Sequence, residues 1–382
     1  MKWVTMWGNA QSTVMPHPAT YAKDLTLRYP IYVPFDGNKI RIELDNFCSD
    51  EDVRIDNVSV SVASSLSDEI NENIPVSFNG EGFAIIKAHE RIKSDELAIS
   101  LKENDYLIVS LYMKGFTNLT SGVYTQGPLS KGYYAYGNQL DSRVLDINTS
   151  KSTNWVYFLS NIDIYTNDRN YAVICYGDSI TSQDWPDYMQ LAYKDMGINY
   201  ISVVRKAVSG TRILREYSCI TYQSYGLCGR KRFNHEVGSV CGAKKIIIQQ
   251  GINDIIHPVG VEINKFRPLS DMPTLGELKE GLKYYVNESY KYGLDVHLGT
   301  LLPIYNWRTY NELREELKNA VNGFIRSDRF IDFEMEVGHF DGGVVKFNEG
   351  CDSGDHLHPS SLAYKKMGEL AARVLEDEDM GD

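Results

Sequence analysis

The stretch that decides the fold is Tyr171-Ala172-Val173-Ile174-Cys175-Tyr176, which runs directly into Gly177-Asp178-Ser179-Ile180-Thr181. An uncharged, mainly apolar run followed by a glycine turn is typical of a short strand that is buried on both faces. Similar runs recur downstream, with segments of helical periodicity between and after them. The runs are 245–249 and 296–302, and the helical segments are near 185–196, 275–292, 310–326 and 360–376. This alternation predicts a parallel sheet covered by helices.

The first part of the chain has the two-residue period of antiparallel strands instead. Apolar residues fall on every second position in 39–44 and again in 58–62, and a more continuous run follows at 107–112. Turn dipeptides such as Asn79-Gly80 separate these runs. Short strands with polar turns predict a β-sandwich or jelly roll. The predicted domains are an accessory β-sandwich domain over residues 1–167 and an α/β domain over residues 168–382.

Composition and charge exclude several classes of partner. The chain has 382 residues, of which 43% are hydrophobic and 24% charged, as is typical of a globular protein. There are 39 Lys and Arg residues against 51 Asp and Glu, so the formal net charge is −12. A surface of this sign disfavours binding to phosphate backbones and to anionic lipid headgroups. We therefore expect neither nucleic acid nor a membrane as a partner.

Targeting signals and cysteine usage bear on the compartment. No apolar run approaches the roughly 18–20 residues that span a bilayer, and the N-terminus lacks the sustained apolar stretch of a signal peptide. The six cysteines include no C-x-x-C pair, which favours reduced thiols over a disulfide framework or a zinc site. These features predict a cytoplasmic protein.

Ser179 is the first candidate for chemistry, because it comes directly after a predicted strand. In open parallel sheets, ligands bind beyond the carboxyl ends of the strands, and a serine at such a turn lies close to backbone N–H donors. Glycine, aspartate and serine also favour ordinary turns. Taken alone, Gly177-Asp178-Ser179 therefore leaves a simple turn as the alternative.

The second candidate is Asp355-His356-Leu357-His358-Pro359, just before the last predicted helix. Serine needs a base to remove its proton, and that base needs a carboxylate to orient it. A carboxylate three residues before a histidine can reach Nδ1 of the ring and leave Nε2 facing the serine. The alternatives are a surface loop, or a metal pair formed by His356 and His358. Because the sequence offers no Glu-x-x-His or cysteine cluster to complete such a site, we expect no metal.

Two further loops supply donors suited to an oxyanion. Val208-Ser209-Gly210-Thr211 and Gly251-Ile252-Asn253-Asp254 each follow a predicted strand. Gly210 lets its own N–H approach a substrate closely, and the Asn253 side chain offers another N–H. Each loop alone is also compatible with a plain turn between a strand and a helix. Four such segments at strand ends or beside the final helix together indicate catalysis.

These four segments resemble the sequence blocks of the SGNH (GDSL-type) esterases and acylhydrolases, and they occur in the same order. The resemblance implies a flavodoxin-like αβα sandwich, with Ser179 as the nucleophile, His358 as the base and Asp355 as its orienting carboxylate. It also implies an oxyanion hole made by the backbone N–H groups of Ser179 and Gly210 together with the Asn253 side chain. Neither a dinucleotide fingerprint nor a P-loop is present, so no cofactor is expected.

The resemblance extends to a subgroup of GDSL-like lipases that carry an N-terminal β-domain. The segments similar to this subgroup are 232–237, 320–326 and 352–356. Two positions depart from the family pattern. Arg205 stands where the family often has asparagine, and Thr211 stands where it often has asparagine or aspartate. Neither departure removes a predicted catalytic atom, and we expect their effect to be on loop rigidity or substrate contacts.

Other polar residues flank the predicted site. Asp178, Arg212 and His257 are candidates for lining the substrate pocket, although Arg212 and His257 are equally compatible with solvated loop positions. We expect Asp178 and Asp254 to be structural hydrogen-bond acceptors instead of bases.

The sequence thus predicts a serine esterase, free of metal and cofactor, that acts on a small-molecule or oligosaccharide ester. Acetyl esters of carbohydrates are favoured, because the loop over 256–273 is sparsely apolar and an attached β-domain is common in polysaccharide-processing enzymes. Tyrosines of the predicted β-domain could stack on sugar rings, but tyrosine is also an ordinary residue of β-sandwiches. They are Tyr124, Tyr133, Tyr134 and Tyr136. The rival activity is hydrolysis of lysophospholipids or general acyl esters, and the remote alternative is a non-catalytic carbohydrate-binding protein.

Overall fold

The computed structural model describes residues 1–13, 21–146, 148, 151–217 and 224–381. The chain divides into two compact units. The N-terminal unit comprises Met1–Ala172, Gly197–Arg205 and Ser239–Ala243, and the C-terminal unit comprises Val173–Met196, Lys206–Gly238 and Lys244–Asp382. Two short segments from the later part of the chain thus belong with the N-terminal unit, which the sequence pattern does not reveal.

The N-terminal unit is built from short strands. They are β1 (Lys2–Gly8), β2 (Ser12–Thr13), β3 (Tyr21–Ala22), β4 (Leu25–Tyr32), β5 (Gly37–Asp45), β6 (Val53–Ile55), β7 (Asn57–Ala63), β8 (Ile74–Val76), β9 (Ala84–Ile86), β10 (Arg91–Lys93), β11 (Leu97–Leu101), β12 (Tyr106–Met113), β13 (Thr117–Asn118), β14 (Ser121–Tyr124), β15 (Gly132–Tyr136), β16 (Lys151–Thr153), β17 (Trp155–Tyr157) and β18 (Leu159–Thr166). The strands predicted at 39–44, 58–62 and 107–112 lie within β5, β7 and β12.

Two large antiparallel sheets dominate this unit. One has the order β1-β18-β5-β10, with β11 also paired to β5, and the other has the order β16-β15-β4-β12-β7-β8. In the second sheet β12 is central: Tyr106 lies opposite Tyr32 of β4 and Ala63 of β7. Smaller sheets are formed by β13-β3, β17-β14-β2 and β6-β9.

Both large sheets contribute inward side chains to one apolar core. The contributors include Val4, Ile40, Ile42 and Ile162 from the first sheet and Leu27, Tyr29, Val60, Leu107 and Val109 from the second. Two antiparallel sheets packed over a shared core are a β-sandwich, so this part of the predicted fold is confirmed. The predicted turn at Asn79-Gly80 has both residues in the left-handed region, with φ of 55° and 81°, as a tight hairpin turn requires.

The remaining elements form the α/β part of the chain. They are β19 (Tyr171–Gly177), α1 (Ser179–Ser182), α2 (Trp185–Asp195), β20 (Ile201–Ala207), α3 (Gly229–Val237), β21 (Ala243–Gln249), α4 (Ile252–Ile256), α5 (Leu275–Lys291), β22 (Asp295–Gly299), α6 (Glu312–Ile325), β23 (Phe330–Ile331), α7 (Phe333–Val337), β24 (Gly338–Asp341), β25 (Val344–Phe347) and α8 (Ser361–Gly381). Local sequence patterns did not predict the short helices α1, α3, α4 and α7 or the hairpin β24–β25.

The central sheet has the strand order β20-β19-β21-β22-β23. The strands β21 and β22 pair in parallel, as do β22 and β23. This is the flavodoxin-like order, in which the chain moves to one side of its first strand and then to the other. The predicted α/β fold is therefore confirmed. Ligands in such sheets bind where the order reverses, which here is at the carboxyl end of β19.

Aromatic side chains hold two helices against this sheet, and one glycine allows two further helices to cross closely. The Tyr176 ring lies 4.9 Å from the ring of Phe233 on α3 and 5.4 Å from that of Tyr285 on α5, measured between centroids. A Cβ on Gly368 of α8 would lie 2.6 Å from the carbonyl oxygen of Trp185. Only glycine therefore allows α8 to cross α2 at this distance.

None of the helices in the described part of the chain combines the length and the apolar composition that crossing a bilayer requires.

Candidate active site

The turn after β19 presents Ser179 as the first residue of α1. Asp178 caps this helix, because its Oδ1 accepts a hydrogen bond of 3.1 Å from the Ile180 N–H. Gly177 ends the strand, and a Cβ on this residue would lie 2.3 Å from Thr181 Oγ1 and 2.5 Å from the Gln249 carbonyl oxygen. Glycine is therefore required for β19 to end this close to β21 and to the first turn of α1.

The loop that carries His358 is organised by two carboxylates. Asp352 Oδ1 accepts from the backbone N–H groups of Gly354, at 2.7 Å, and His356, at 3.0 Å. Asp355 Oδ1 accepts from the backbone N–H groups of Leu357 and His358, and its Oδ2 lies 2.7 Å from His358 Nδ1. The position of the imidazole is thus set by bonds that span only a few residues.

The two loops meet at one pair of atoms: Ser179 Oγ lies 3.0 Å from His358 Nε2. The serine and histidine side chains are half-buried, and the Asp355 carboxylate is more exposed. In such an arrangement the imidazole can take the hydroxyl proton, and the carboxylate stabilises the imidazolium that results. The predicted residues of two distant segments, 177–181 and 355–359, are accordingly brought together at the carboxyl end of β19.

Two aspartates beside these atoms have opposite pKa shifts. Burial raises the pKa of Asp178 to about 7, because the charged form loses its hydration. Burial acts in the same direction on Asp355, but hydrogen bonds from the ring and backbone of His358 and from the Leu357 N–H outweigh it. The pKa of Asp355 is therefore well below its usual value. Asp355 is therefore ionised at neutral pH, as the partner of an imidazolium must be.

The loops with the candidate oxyanion donors are bonded to one another. Gly210 has a φ of 79°, and Asn253 Nδ2 donates to the Thr211 carbonyl oxygen at 3.1 Å. The hydroxyls of Ser182 and Ser209 are 2.9 Å apart, which joins the first turn of α1 to the same loop. Gly210 and the amide of Asn253 are thus held on the side of the sheet that presents Ser179.

Asp254 stabilises the segment that follows the Gly210 loop. Its carboxylate accepts from the backbone N–H groups of Ile213, at 2.7 Å, and Leu214, at 3.1 Å. Burial raises the pKa of Asp254 to about 6. Both Asp178 and Asp254 therefore act in this structure as acceptors of backbone hydrogen bonds.

Arg212 and His257 are buried, at 2% and 8% exposure, so the interpretation of these residues as solvated is wrong. The guanidinium of Arg212 forms an ion pair of 3.0 Å with Asp271 and donates to backbone carbonyl groups. His257 Nδ1 is hydrogen bonded to the Tyr217 hydroxyl. Burial and neighbouring arginines hold the pKa of His257 well below its usual value, so its ring is neutral.

Two tyrosines lie next to Gly210, a feature that the sequence patterns did not predict. The Tyr225 ring stacks on His257, with centroids 5.8 Å apart, and a Cβ on Gly210 would lie 2.4 Å from it. The Tyr217 hydroxyl also donates to the Gly210 carbonyl oxygen at 3.4 Å. Residues 218–223, between the two tyrosines, lie outside the described part of the chain. No local pattern distinguishes these tyrosines from the others in a chain that has 26.

The two departures from the family pattern have distinct surroundings. Arg205 belongs to the N-terminal unit, where its Nη1 donates to the Gln126 carbonyl oxygen at 3.2 Å and to Ser130 Oγ at 3.0 Å. Thr211 donates through its hydroxyl to the Leu227 carbonyl oxygen at 3.1 Å. Each residue therefore has a structural hydrogen-bond role.

The alternative of a metal pair gains no support from the geometry. His356 Nδ1 lies 2.6 Å from Asp352, whereas His358 is bound to Asp355, so the two imidazoles have separate carboxylates. In the described ranges no group of three or more histidine, cysteine or acidic side chains is arranged to hold a metal ion.

The serine and histidine loops thus lie at the carboxyl end of β19, where open α/β sheets bind their ligands. The sequence model of the GDSL-like Lipase/Acylhydrolase family matches residues 139–371, which is more than half of the chain, and the chain belongs to that family. It is therefore an ester hydrolase in the broad sense of the family.

Several solved structures are similar to this chain at low sequence identity. A GDSL-like lipase from Bacteroides thetaiotaomicron is 16% identical, with 55% of this chain and 89% of that chain covered and a TM-score of 0.40. An acetylxylan esterase from Geobacillus stearothermophilus is 17% identical, with coverage of 56% and 96% and a TM-score of 0.39. An inhibitor-bound aryl esterase from M. smegmatis is 15% identical, with coverage of 55% and 99% and a TM-score of 0.40. A search of curated proteins found no match.

Proposed function

We propose that this protein is a serine esterase that acts through Ser179, His358 and Asp355. The observation that carries the proposal is the hydrogen-bonded chain from Ser179 Oγ through the His358 ring to Asp355, with links of 3.0 and 2.7 Å. His358 Nε2 removes the hydroxyl proton as Ser179 Oγ bonds to the ester carbonyl carbon. His358 then gives this proton to the departing alcohol, and a water molecule, activated in the same way, releases the acid from the acyl-enzyme.

The negative charge of each tetrahedral intermediate needs donors that are already in place. We assign this role to the backbone N–H groups of Ser179 and Gly210 and to Asn253 Nδ2. The bond from Asn253 to the Thr211 carbonyl oxygen supports the assignment, because it keeps the amide beside the Gly210 loop. Asp178 supports the same site by capping the turn, and Arg212 and His257 support it by fixing the neighbouring loops.

For the acyl group we favour acetate on a carbohydrate. The Tyr225 ring packs directly on Gly210, which leaves little room there for a long acyl chain. The accessory β-sandwich domain over residues 1–167 fits a polymeric substrate.

A specific observation favours the rival substrate, a longer acyl ester. Three apolar side chains of the loop over 256–273 are exposed: Val261 by 62%, Ile263 by 73% and Leu269 by 55%. Scattered exposed apolar residues are normal on protein surfaces, so these three are weaker support than the packing at Gly210.

The test is hydrolysis of p-nitrophenyl esters by the wild type and by S179A. We expect S179A to lose turnover by at least about 10⁴-fold while its unfolding midpoint stays unchanged, since one small, half-buried hydroxyl is removed. A folded S179A that retains wild-type activity defeats the proposal. Within the wild type, a series from acetyl to octanoyl esters separates the substrates: a maximum at acetyl supports the sugar ester, and a rise toward octanoyl supports the lipid.

A further inference from the structure

Arg232 is a buried cation that the proposed mechanism does not use. It lies on α3, is 1% exposed, and forms an ion pair with Glu236 one helical turn later. Removing a guanidinium from water is costly, so a protein retains one in its core only where several of its donors are used. The contacts of Arg232 are therefore informative.

Two of those contacts are to backbone carbonyl groups at the ends of neighbouring strands. Arg232 Nη2 donates to the Gly177 carbonyl oxygen at 2.8 Å, and Nη1 donates to the Lys206 carbonyl oxygen at 3.4 Å. Gly177 ends β19 two residues before Ser179, and Lys206 is the penultimate residue of β20, just before the loop with Gly210. One planar group thus spans the two strand ends that present the proposed nucleophile and an oxyanion donor.

The position of Arg232 is itself fixed. Its guanidinium carbon lies 4.4 Å from the centroid of the Tyr176 ring, and the Tyr176 hydroxyl donates to the Gly229 carbonyl oxygen at 2.7 Å, which ties the start of α3 to β19. The Gly177 carbonyl oxygen also accepts from the Val208 N–H at 3.2 Å. The strand end, the helix and the Gly210 loop are therefore parts of one bonded unit with Arg232 at its centre.

We propose that Arg232 is a positioning residue that sets the spacing between the Ser179 turn and the Gly210 loop through the carbonyl groups of Gly177 and Lys206. The inference rests on the proposed function, because the reacting groups that it positions are those of Ser179 and Gly210. Arginine suits this task since its rigid fork donates in two directions at once, whereas the ammonium of lysine is a single point charge. Displacement of a reacting group by about 1 Å is enough to reduce a rate by about 100-fold.

The decisive variant is R232M/E236M, which replaces a buried ion pair by apolar residues of similar size, a change that proteins often tolerate. We expect it to fold with an unfolding midpoint near that of the wild type. Its kcat for p-nitrophenyl acetate should fall by about 10- to 100-fold, with KM within about threefold of the wild type, because binding groups are untouched. The pH dependence of kcat should be unchanged, because no proton donor or acceptor is removed.

The matched control is E315Q/K318M, which alters another buried ion pair of the same unit. Lys318 bonds to Glu315 on α6 and to Glu334 on α7, and Glu334 keeps Arg326 as a partner at 2.8 Å. This control should change stability but leave kcat unaltered. A folded R232M/E236M with wild-type kcat overturns the inference, as does an equal loss of kcat in the control.

If R232M/E236M does not fold, R232K decides the question, because it keeps the charge opposite Glu236. Its kcat should fall by about 10-fold, since one ammonium cannot replace both donors, and an unchanged kcat contradicts the inference. Failure of the proposed function is separately visible, because it requires S179A to stay active. Loss of activity in S179A combined with full activity in R232K rejects only the role of Arg232.

Discussion

The two loops that meet at Ser179 and His358 are stabilised in opposite ways. The turn over 177–182 is held by the core, with Gly177 pressed against a neighbouring strand and Asp178 1% exposed. The loop over 352–359 is held by carboxylates that bond to backbone groups a few residues away. The nucleophile thus depends on the fold of the whole C-terminal unit, whereas the base depends on a short polar loop.

The aspartates of the two loops express the same difference. Burial raises the pKa of Asp178, while hydrogen bonds from His358 and Leu357 outweigh burial and lower that of Asp355. One carboxyl is therefore stabilised in its neutral form and the other in its charged form. Changes to the base loop should thus affect activity, and changes to the nucleophile turn should affect stability as well.

The largest effect is expected for D355A. Without its carboxylate the imidazolium loses its partner and the ring its orientation, so kcat should fall by about 10³- to 10⁴-fold. The unfolding midpoint should fall only modestly, because this side chain is 42% exposed and its hydrogen bonds stay within one loop. Steady-state kinetics and thermal unfolding of the same preparation check both parts. A D355A protein of wild-type kcat would show that the loop does not supply the base.

A smaller effect, on the pH dependence of stability, is expected for D178N. The carboxyl titrates near 3.9 in an unfolded chain and at about 7 in the folded protein. Between these values the folded state binds a proton that the unfolded state has lost, so the wild type loses stability as pH rises from about 4 to 7. The amide introduced by D178N keeps an oxygen for the Ile180 N–H and does not titrate. As the pH rises across this window, the difference in free energy of unfolding between D178N and the wild type should therefore shift in favour of the variant, by up to about 4 kcal/mol.

Urea unfolding at several pH values measures this difference, and D95N is the control. Hydrogen bonds from the Ser77 hydroxyl and from the N–H groups of Gly80 and Asn79 lower the pKa of Asp95 in the folded protein, so its stabilising contribution is lost only as the pH falls below about 4. The difference between D95N and the wild type should therefore be flat between pH 4 and 7. A flat difference for D178N as well would contradict the account of the buried turn.

The smallest effect is expected from a single added methyl group. In G177A the new Cβ overlaps Thr181 Oγ1 and the Gln249 carbonyl oxygen, so we expect a loss of about 1–3 kcal/mol in the free energy of unfolding and a lower kcat. Gly323 of α6 is the matched control, because a Cβ there meets no atom within 4 Å. G323A should gain about 0.5–1 kcal/mol and keep its kcat. Equal changes of the free energy of unfolding and of kcat in the two variants would show that the close contact at Gly177 does not constrain the turn.

The contrast also explains what the sequence could predict. The alternation of apolar residues in β5 and β7, the continuous run of β19 and the helical periodicity around α5 are local patterns, so the sandwich and the α/β sheet could both be predicted. The base loop was equally visible, because Asp355 and His358 are three residues apart and their bond needs no other element.

Contacts between residues far apart in the chain have no local signal. The bond from Arg232 to the Gly177 carbonyl oxygen joins residues 55 positions apart, and the packing of Tyr225 on Gly210 depends on how two loops fold together. The burial of Arg212 and His257 was missed for the same reason, since charged and polar side chains are expected at the surface unless a partner such as Asp271 or Tyr217 is known. The inclusion of 197–205 and 239–243 in the N-terminal unit is likewise a product of tertiary packing.

The central claim is that the imidazole of His358 activates the hydroxyl of Ser179. Mass spectrometry of the protein after treatment with a fluorophosphonate, which reacts with activated serines, tests it most directly, with H358A treated in parallel. We predict one adduct per chain on the peptide that contains Ser179, and a loss of this adduct in H358A. An adduct on another serine, or labelling of Ser179 that is equally fast without His358, would contradict the claim.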